Sequence, residues 1–258
     1  MPLSAGIYYF FHDGDKRTRP PIILLHGAGG DHLVWPPEIR HLSGIRVYTL
    51  DLPGHGKSGG AGRQSAEDYA KKVIEFMDAA SLWRAVFVGH SMGGAIALDL
   101  ALEYPERTAG LGLISSGARL PVSASILENA ASASTFSFAV QSLHNLSWGP
   151  HSSRRLVEQN FKRLMSVRPT LLYGDLLACD RFDAADRLAS IRTPVLVICG
   201  TDDKLTPVHY SATLAAQIPG AALQTVDEAG YLVMLEQPQR LAKLLSVFLT
   251  TIPYTPGA

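Results

Sequence analysis

Ala85-Val-Phe-Val-Gly-His-Ser-Met-Gly-Gly94 decides the reading of this chain. Its first half is a short apolar run suited to a buried strand, and Ala95–Tyr104 behind it has an apolar helical pattern. Between the two, Gly89-His90-Ser91-Met92-Gly93 fits G-x-S-x-G. A serine on so tight a strand-to-helix turn is held in a strained backbone conformation, and the glycines on either side leave room for the turn. The helix N-terminus behind Ser91 places free N–H groups and partial positive charge where an oxyanion can form. Ser91 is therefore the candidate nucleophile.

Similar apolar runs recur on both sides of this turn: Ile22–Leu25, Val47–Leu50, Leu111–Ile114, Val195–Ile198 and Ala222–Val226. Most lack alternation, as parallel strands covered by helices on both faces do. Gly6–His12 alternates more and reads as a strand at an edge of the sheet. Helical patterns lie between the runs. Ser65-Ala-Glu-Asp opens the clearest with a capping box, and Tyr69, Val73, Phe76, Met77 and Ala80 form its apolar face. This alternation predicts an α/β fold with a doubly wound, mainly parallel sheet.

From about Gly117 to Ile191 the rhythm breaks, with no convincing strand and several short helical patterns. So long a stretch is not expected as a structureless loop. We expect a core formed by residues 1–116 and 192–258, with residues 117–191 inserted as a helical cap over the strand ends. Ser147–Pro150 and Arg168–Thr170 are the expected breaks between cap helices. Tyr254–Ala258 reads as a short frayed tail.

Composition narrows the function. The 258 residues are 47% hydrophobic and only 18% charged, enough for a sizeable core and against general disorder. Twenty-three basic and 23 acidic residues give a formal net charge of zero, so no global attraction to nucleic acid or an anionic membrane is expected. No basic segment followed by a long apolar run opens the chain, and no stretch suits a membrane span, so a cytoplasmic location is expected. Cys179 and Cys199 are too few and too far apart for a disulfide framework or zinc site. We see no metal cluster and no dinucleotide fingerprint, and the expected chemistry needs no cofactor. Composition does not reveal an oligomeric state.

With the Ser91 turn in place, the chain resembles the α/β-hydrolase family over about Ile22 to Phe248. Leu25-His-Gly-Ala-Gly-Gly30 is similar to the family's oxyanion loop, which implies that the Ala28 and Met92 N–H groups bind the oxyanion. Asp51-Leu-Pro-Gly-His-Gly-Lys-Ser58 is similar to the turn after the family's next strand. Asp51, His55 and Ser58 are expected to hold that loop by hydrogen bonds, and His26 and His90 are likewise read as structural. Gly200-Thr-Asp-Asp-Lys-Leu-Thr-Pro207 resembles the acid turn, which makes Asp203 the carboxylate that orients the base. Asp202 is the adjacent alternative, and either aspartate could instead cap the helix near Pro207.

One position departs from the family. Ala229-Gly-Tyr-Leu-Val-Met-Leu-Glu-Gln-Pro238 keeps Glu236 and Pro238 at the family's spacing, but Tyr231 stands in the histidine slot. A phenol with an ordinary pKa of about 10 is a poor general base at neutral pH. Loss of the base costs on the order of 10⁴- to 10⁶-fold in turnover in serine hydrolases. Several readings stay open. Tyr231 replaces histidine in an otherwise competent hydrolase; the chain is a pseudo-enzyme that binds an acyl ligand; His209 or His32 serves as base; or Tyr231 itself takes part.

The resemblance implies a serine hydrolase that acts on a small carboxylic ester or lactone. Haloalkane dehalogenases and epoxide hydrolases of this fold use an aspartate nucleophile, so Ser91 argues against both. A carbon–carbon bond hydrolase and a perhydrolase remain alternatives. Phe136, Phe138, Leu143, Trp148 and Leu172 are candidate pocket lining, with packing among the cap helices as the competing role.

Overall fold

The apolar runs become the middle of one eight-stranded sheet in a computed structural model that describes residues 2–14 and 19–253. The strands are β1 (Leu3–Ser4), β2 (Ile7–Asp13), β3 (Ile22–Leu25), β4 (Arg46–Leu50), β5 (Ala85–His90), β6 (Thr108–Ile114), β7 (Val195–Gly200) and β8 (Ala222–Val226). Their order is β1-β2-β4-β3-β5-β6-β7-β8, antiparallel from β1 to β4 and parallel from there on. The doubly wound, mainly parallel sheet that the sequence predicts is thus present. The expected edge strand at Gly6–His12 is next to the edge instead, because the chain before it folds back as β1. The expected tail Tyr254–Ala258 lies outside the described residues.

The helices are α1 (Pro37–Arg40), α2 (Ala66–Ala79), α3 (Met92–Glu103), α4 (Ala124–Ala130), α5 (Phe136–Leu146), α6 (Arg154–Met165), α7 (Pro169–Asp180), α8 (Val208–Gln217), α9 (Val233–Glu236) and α10 (Pro238–Thr250). Ser65 starts α2 as expected, its side chain accepting the Asp68 amide. Burial explains why the central strands show no alternation. Ile23, Leu25 and Phe87 pack with α2 and α3 on one face, while Ile22, Leu24, Val86 and Val88 pack with α10 on the other. Both faces are cores, so each position is apolar. β8, at the edge, is largely exposed.

Between β6 and β7 the chain runs through α4, α5, α6 and α7, with breaks at Ser147–Ser153 and Ser166–Arg168. Ile126, Ala130, Phe136, Ala139, Val140, Leu172 and Leu176 give these helices a small core of their own. The only extended pairing in this stretch, among the described residues, is the isolated bridge Arg119–Asp183.

The connectivity places the site. The chain leaves β3 for β4 on one side and then returns to β5 on the other. At such a reversal the loops beyond the strands' carboxyl ends diverge and leave a crevice. Leu25 pairs with Gly89, so the loops after β3 and β5 emerge side by side.

Candidate active site

Ser91 occupies the turn between β5 and α3 with φ 52° and ψ −115°. That conformation is unusual for a residue with a side chain. The surroundings enforce it. The Ser91 amide donates to Ile114 O at 2.9 Å, and the Ser116 hydroxyl donates to Ser91 O at 3.0 Å. A Cβ on Gly93 would collide with Leu25 O, and one on Gly89 with Gly93 O. The glycines allow the backbones to approach closely, as the sequence pattern predicts. Although only 6% exposed, Ser91 lines a cavity of about 640 Å³ at the crevice.

The loop after β3 forms one wall, where Gly27, Ala28, Gly29 and Gly30 all face the cavity. Gly30 N–H closes a turn on Gly27 O at 3.1 Å, and Gly29 takes φ +63°. Met92 is the first residue of α3, so its amide lies in the unpaired first turn. Among the described residues, neither the Ala28 nor the Met92 N–H donates to another group. Two free amides beside a serine are what a developing oxyanion requires.

Asp203 lies buried on the turn after β7. Its Oδ1 accepts the Leu205 and Thr206 amides at 3.0 and 2.8 Å, and its Oδ2 accepts the Thr206 hydroxyl at 2.7 Å. Burial raises its pKa against these donors, which favour the anion. The turn is pinned to the loop after β8. Asp202 N–H donates to Ala229 O at 2.9 Å, and a Cβ on Gly200 would collide with Ala229 and Gly230.

Tyr231 follows on that loop. Tyr231 and Ser91 line the same cavity. Burial pushes the phenol pKa upward, opposed by the Ser91 hydroxyl and reinforced by Cys179 and Asp203. The phenol is thus even harder to ionise than in water. Behind it, the His90 ring lies tilted by 60° at 4.4 Å between centroids, and its Nε2–H donates to Tyr231 O at 3.0 Å. Burial lowers the His90 pKa to about 3, which keeps the ring neutral.

The other histidines are engaged elsewhere. His26 accepts the Leu52 amide at Nε2, so Nδ1 carries the proton and donates to Gly27 O at 2.8 Å. Burial brings its pKa down to about 4. His32 Nδ1 bonds Asp51 at 2.8 Å, and His209 is exposed on α8. Neither of these two lines the cavity.

A family model described as alpha/beta hydrolase fold matches residues 20–238. The chain belongs to the alpha/beta hydrolase fold family. Within it, the chain is 30% identical to a putative carbamate hydrolase RutD of Agrobacterium fabrum, covering 94% of this chain and 98% of that one. It is 27% identical to 3-oxoadipate enol-lactonase 1 of Acinetobacter baylyi, over 92% of this chain and 91% of the relative. Among solved structures, the enol-lactonase of Burkholderia xenovorans LB400 superposes with a TM-score of 0.86 at 25% identity, covering 95% and 96% of the two chains.

In this alpha/beta hydrolase fold chain, Ser91, Ala28 and Tyr231 line one cavity, and Asp203 stands just before Lys204, Leu205 and Thr206, which line it too. The turn after β4 is held as the sequence suggests. Asp51 accepts the His32 and Lys57 amides at 2.6 and 2.8 Å, and Ser58 donates to Asp51 O. Asp31, His32 and Asp51 bring potential ligand atoms within 4.8 Å of one another, a grouping that sequence spacing does not reveal. Hydrogen bonds account for it: Asp31 accepts the Leu33 amide, and Asp51 is occupied as above.

Of the five candidate lining residues, only Leu143 faces the cavity. Phe136 and Leu172 fill the small core of the inserted helices, Trp148 joins a sheet core, and Phe138 is exposed. Sequence reading misses Asp175. It is fully buried on α7 and bonds Gly29, His55 and Tyr69. A signal was available: an aspartate inside Leu171-Leu-Tyr-Gly-Asp-Leu-Leu177 is a charge in an apolar helix, and such charges need partners. No described helix is long and apolar enough to cross a membrane.

Proposed function

We propose that this chain is a serine hydrolase for small carboxylic esters or lactones, whose turnover Tyr231 strongly reduces. The observation that carries the reading is that Ser91, on its strained turn, shares one cavity with Ala28 and with Tyr231, the residue standing where a proton acceptor is needed. In the reaction, Ser91 Oγ attacks the acyl carbon while the Ala28 and Met92 N–H groups hold the oxyanion. The leaving alcohol takes the proton, and water then releases the acid from the Ser91 ester. Asp203 is the carboxylate that would orient an imidazole at position 231. Helices α4–α7 act as the cap that encloses the substrate. Relatives named carbamate hydrolase and enol-lactonase support a small acyl compound as substrate.

The phenol accepts the serine proton poorly, because burial pushes its pKa further from neutrality. What remains is the contribution of the oxyanion site and binding, worth about 10³- to 10⁴-fold over water in related chemistry. The same observation favours a second reading, in which the chain holds an acyl ligand without turning it over.

Hydrolysis of p-nitrophenyl acetate by this chain and its Tyr231→His variant separates the two. We expect the variant to gain about a thousandfold or more, equivalent to about 4 kcal/mol of barrier. Saturable binding with no gain would overturn the hydrolase reading in favour of ligand binding.

A further inference from the structure

The helical insertion carries a buried charge that the reaction above does not use. Asp175 on α7 is fully buried, yet it receives donors from three separate parts of the core. Its Oδ2 accepts the Gly29 amide at 2.8 Å and His55 Nε2 at 2.7 Å, while Oδ1 accepts the Tyr69 hydroxyl at 2.6 Å. These partners belong to the loop after β3, the loop after β4 and helix α2.

His55 is the charged partner this geometry suits. Its Nδ1 faces Pro53 O at 3.1 Å and its Nε2 faces Asp175 at 2.7 Å, so an imidazolium would satisfy both contacts. Burial works against that charge, but the Asp175 carboxylate outweighs it and raises the His55 pKa. A buried ion pair is a weak device for stability alone, since apolar residues of similar volume often serve as well or better. Its remaining role lies in what it fixes.

What it fixes is the loop beside Ser91. Beyond Leu25 that loop has left the sheet; within it the Gly30 N–H and His26 Nδ1–H both donate to Gly27 O, and at its start His26 Nε2 accepts the Leu52 amide. The amide of Gly29, next in sequence to Ala28, is held by Asp175. Contact is close, because a Cβ on Gly29 would meet Leu164 at 2.9 Å and Leu172 at 3.1 Å, both from the insertion.

We propose that Asp175 is a positioning residue for the oxyanion loop, so that the insertion must be seated for the Ala28 amide to point at the reacting atom. This rests on the hydrolase reading only where it speaks of reaction. Seating of the insertion and assembly of the oxyanion site are then one event.

The test has two readouts. In the unmodified chain labelled with ¹⁵N-glycine, the Gly29 amide proton is expected downfield and slow to exchange, as a charge-assisted hydrogen bond requires. Exchange at an ordinary loop rate would overturn the proposal without any variant. Asp175→Asn is expected to speed Gly29 exchange at least about tenfold. It is also expected to slow phosphonylation of Ser91 by a p-nitrophenyl phosphonate by about 30-fold or more, in this chain and in Tyr231→His, as loss of an oxyanion donor does. Tyr69→Phe removes a donor to the other carboxylate oxygen and keeps the Gly29 bond. It is expected to keep the phosphonylation rate within about twofold of its parent, well short of the loss of an oxyanion donor. Equal losses in the two variants would make Asp175 ordinary structural support and sink the proposal. If neither parent is phosphonylated, the hydrolase reading fails, and the Gly29 amide alone decides whether Asp175 holds the loop.

Discussion

Glu236 holds Gly230: its Oε1 accepts the Gly230 amide at 2.9 Å, immediately before Tyr231. The other oxygen accepts the Gly149 amide at 2.9 Å and the Ser152 hydroxyl at 2.6 Å, both from the helical insertion. One carboxylate thus ties the loop that carries Tyr231 to the segment between α5 and α6.

Glu236→Gln tests this tie. An amide keeps one acceptor oxygen for three donors, so at least one donor loses its partner. We expect a loss of about 1–2 kcal/mol in stability, read from the urea midpoint. In a Tyr231→His background we also expect kcat to fall more than KM rises, since on the proposed reaction this loop would position the base. Unchanged stability and kcat would remove Glu236 from the account.

Ser91 offers a second test through its backbone. At φ 52° a residue with a Cβ is strained by about 1–3 kcal/mol. Glycine accepts that region without the penalty but gains freedom in the unfolded chain, which offsets about 0.5–1 kcal/mol. Ser91→Gly is therefore expected to be more stable than Ser91→Ala by about 1 kcal/mol in denaturant unfolding, although both lack the Ser91 hydroxyl. Equal stabilities would mean that the turn is relaxed.

Alkaline titration gives a third. Burial raises the Tyr231 pKa, so the folded chain keeps this proton after the unfolded chain releases it at about 10. The contribution of this group is constant below that pH. It then turns against the fold by about 1.4 kcal/mol per pH unit as pH rises further. Tyr69, also raised by burial, acts in the same sense. Tyr231→Phe is expected to unfold at higher pH than its parent, followed by phenolate absorbance. An earlier or identical transition would show that the phenol ionises freely in the fold.

Legibility in the sequence followed the range of the forces involved. Ile22–Leu25 and Ala222–Val226 are bounded in the structure where the sequence pattern suggests, because strand formation there follows local pattern and pairing with a neighbouring strand. The Ser91 turn was equally readable, since steric demands within five residues write themselves into glycine positions. Asp175 was not, because its partners lie 106, 120 and 146 residues away and only the folded chain brings them together. The cavity lining was poorly readable for a related reason. Phe136, Leu143 and Leu172 are all apolar on inserted helices, and only packing decides which of them faces a cluster and which faces open space.

The Asp203 carboxylate is satisfied by its own turn, through Leu205 and Thr206, and owes nothing to the residue at position 231. Its geometry therefore survives whichever side chain fills that position. Codons for tyrosine and histidine differ only in their first nucleotide. A gene for this chain thus lies one point mutation from the serine, histidine and aspartate that the proposed reaction would use, and selection could cross that gap in either direction without rebuilding the protein around it.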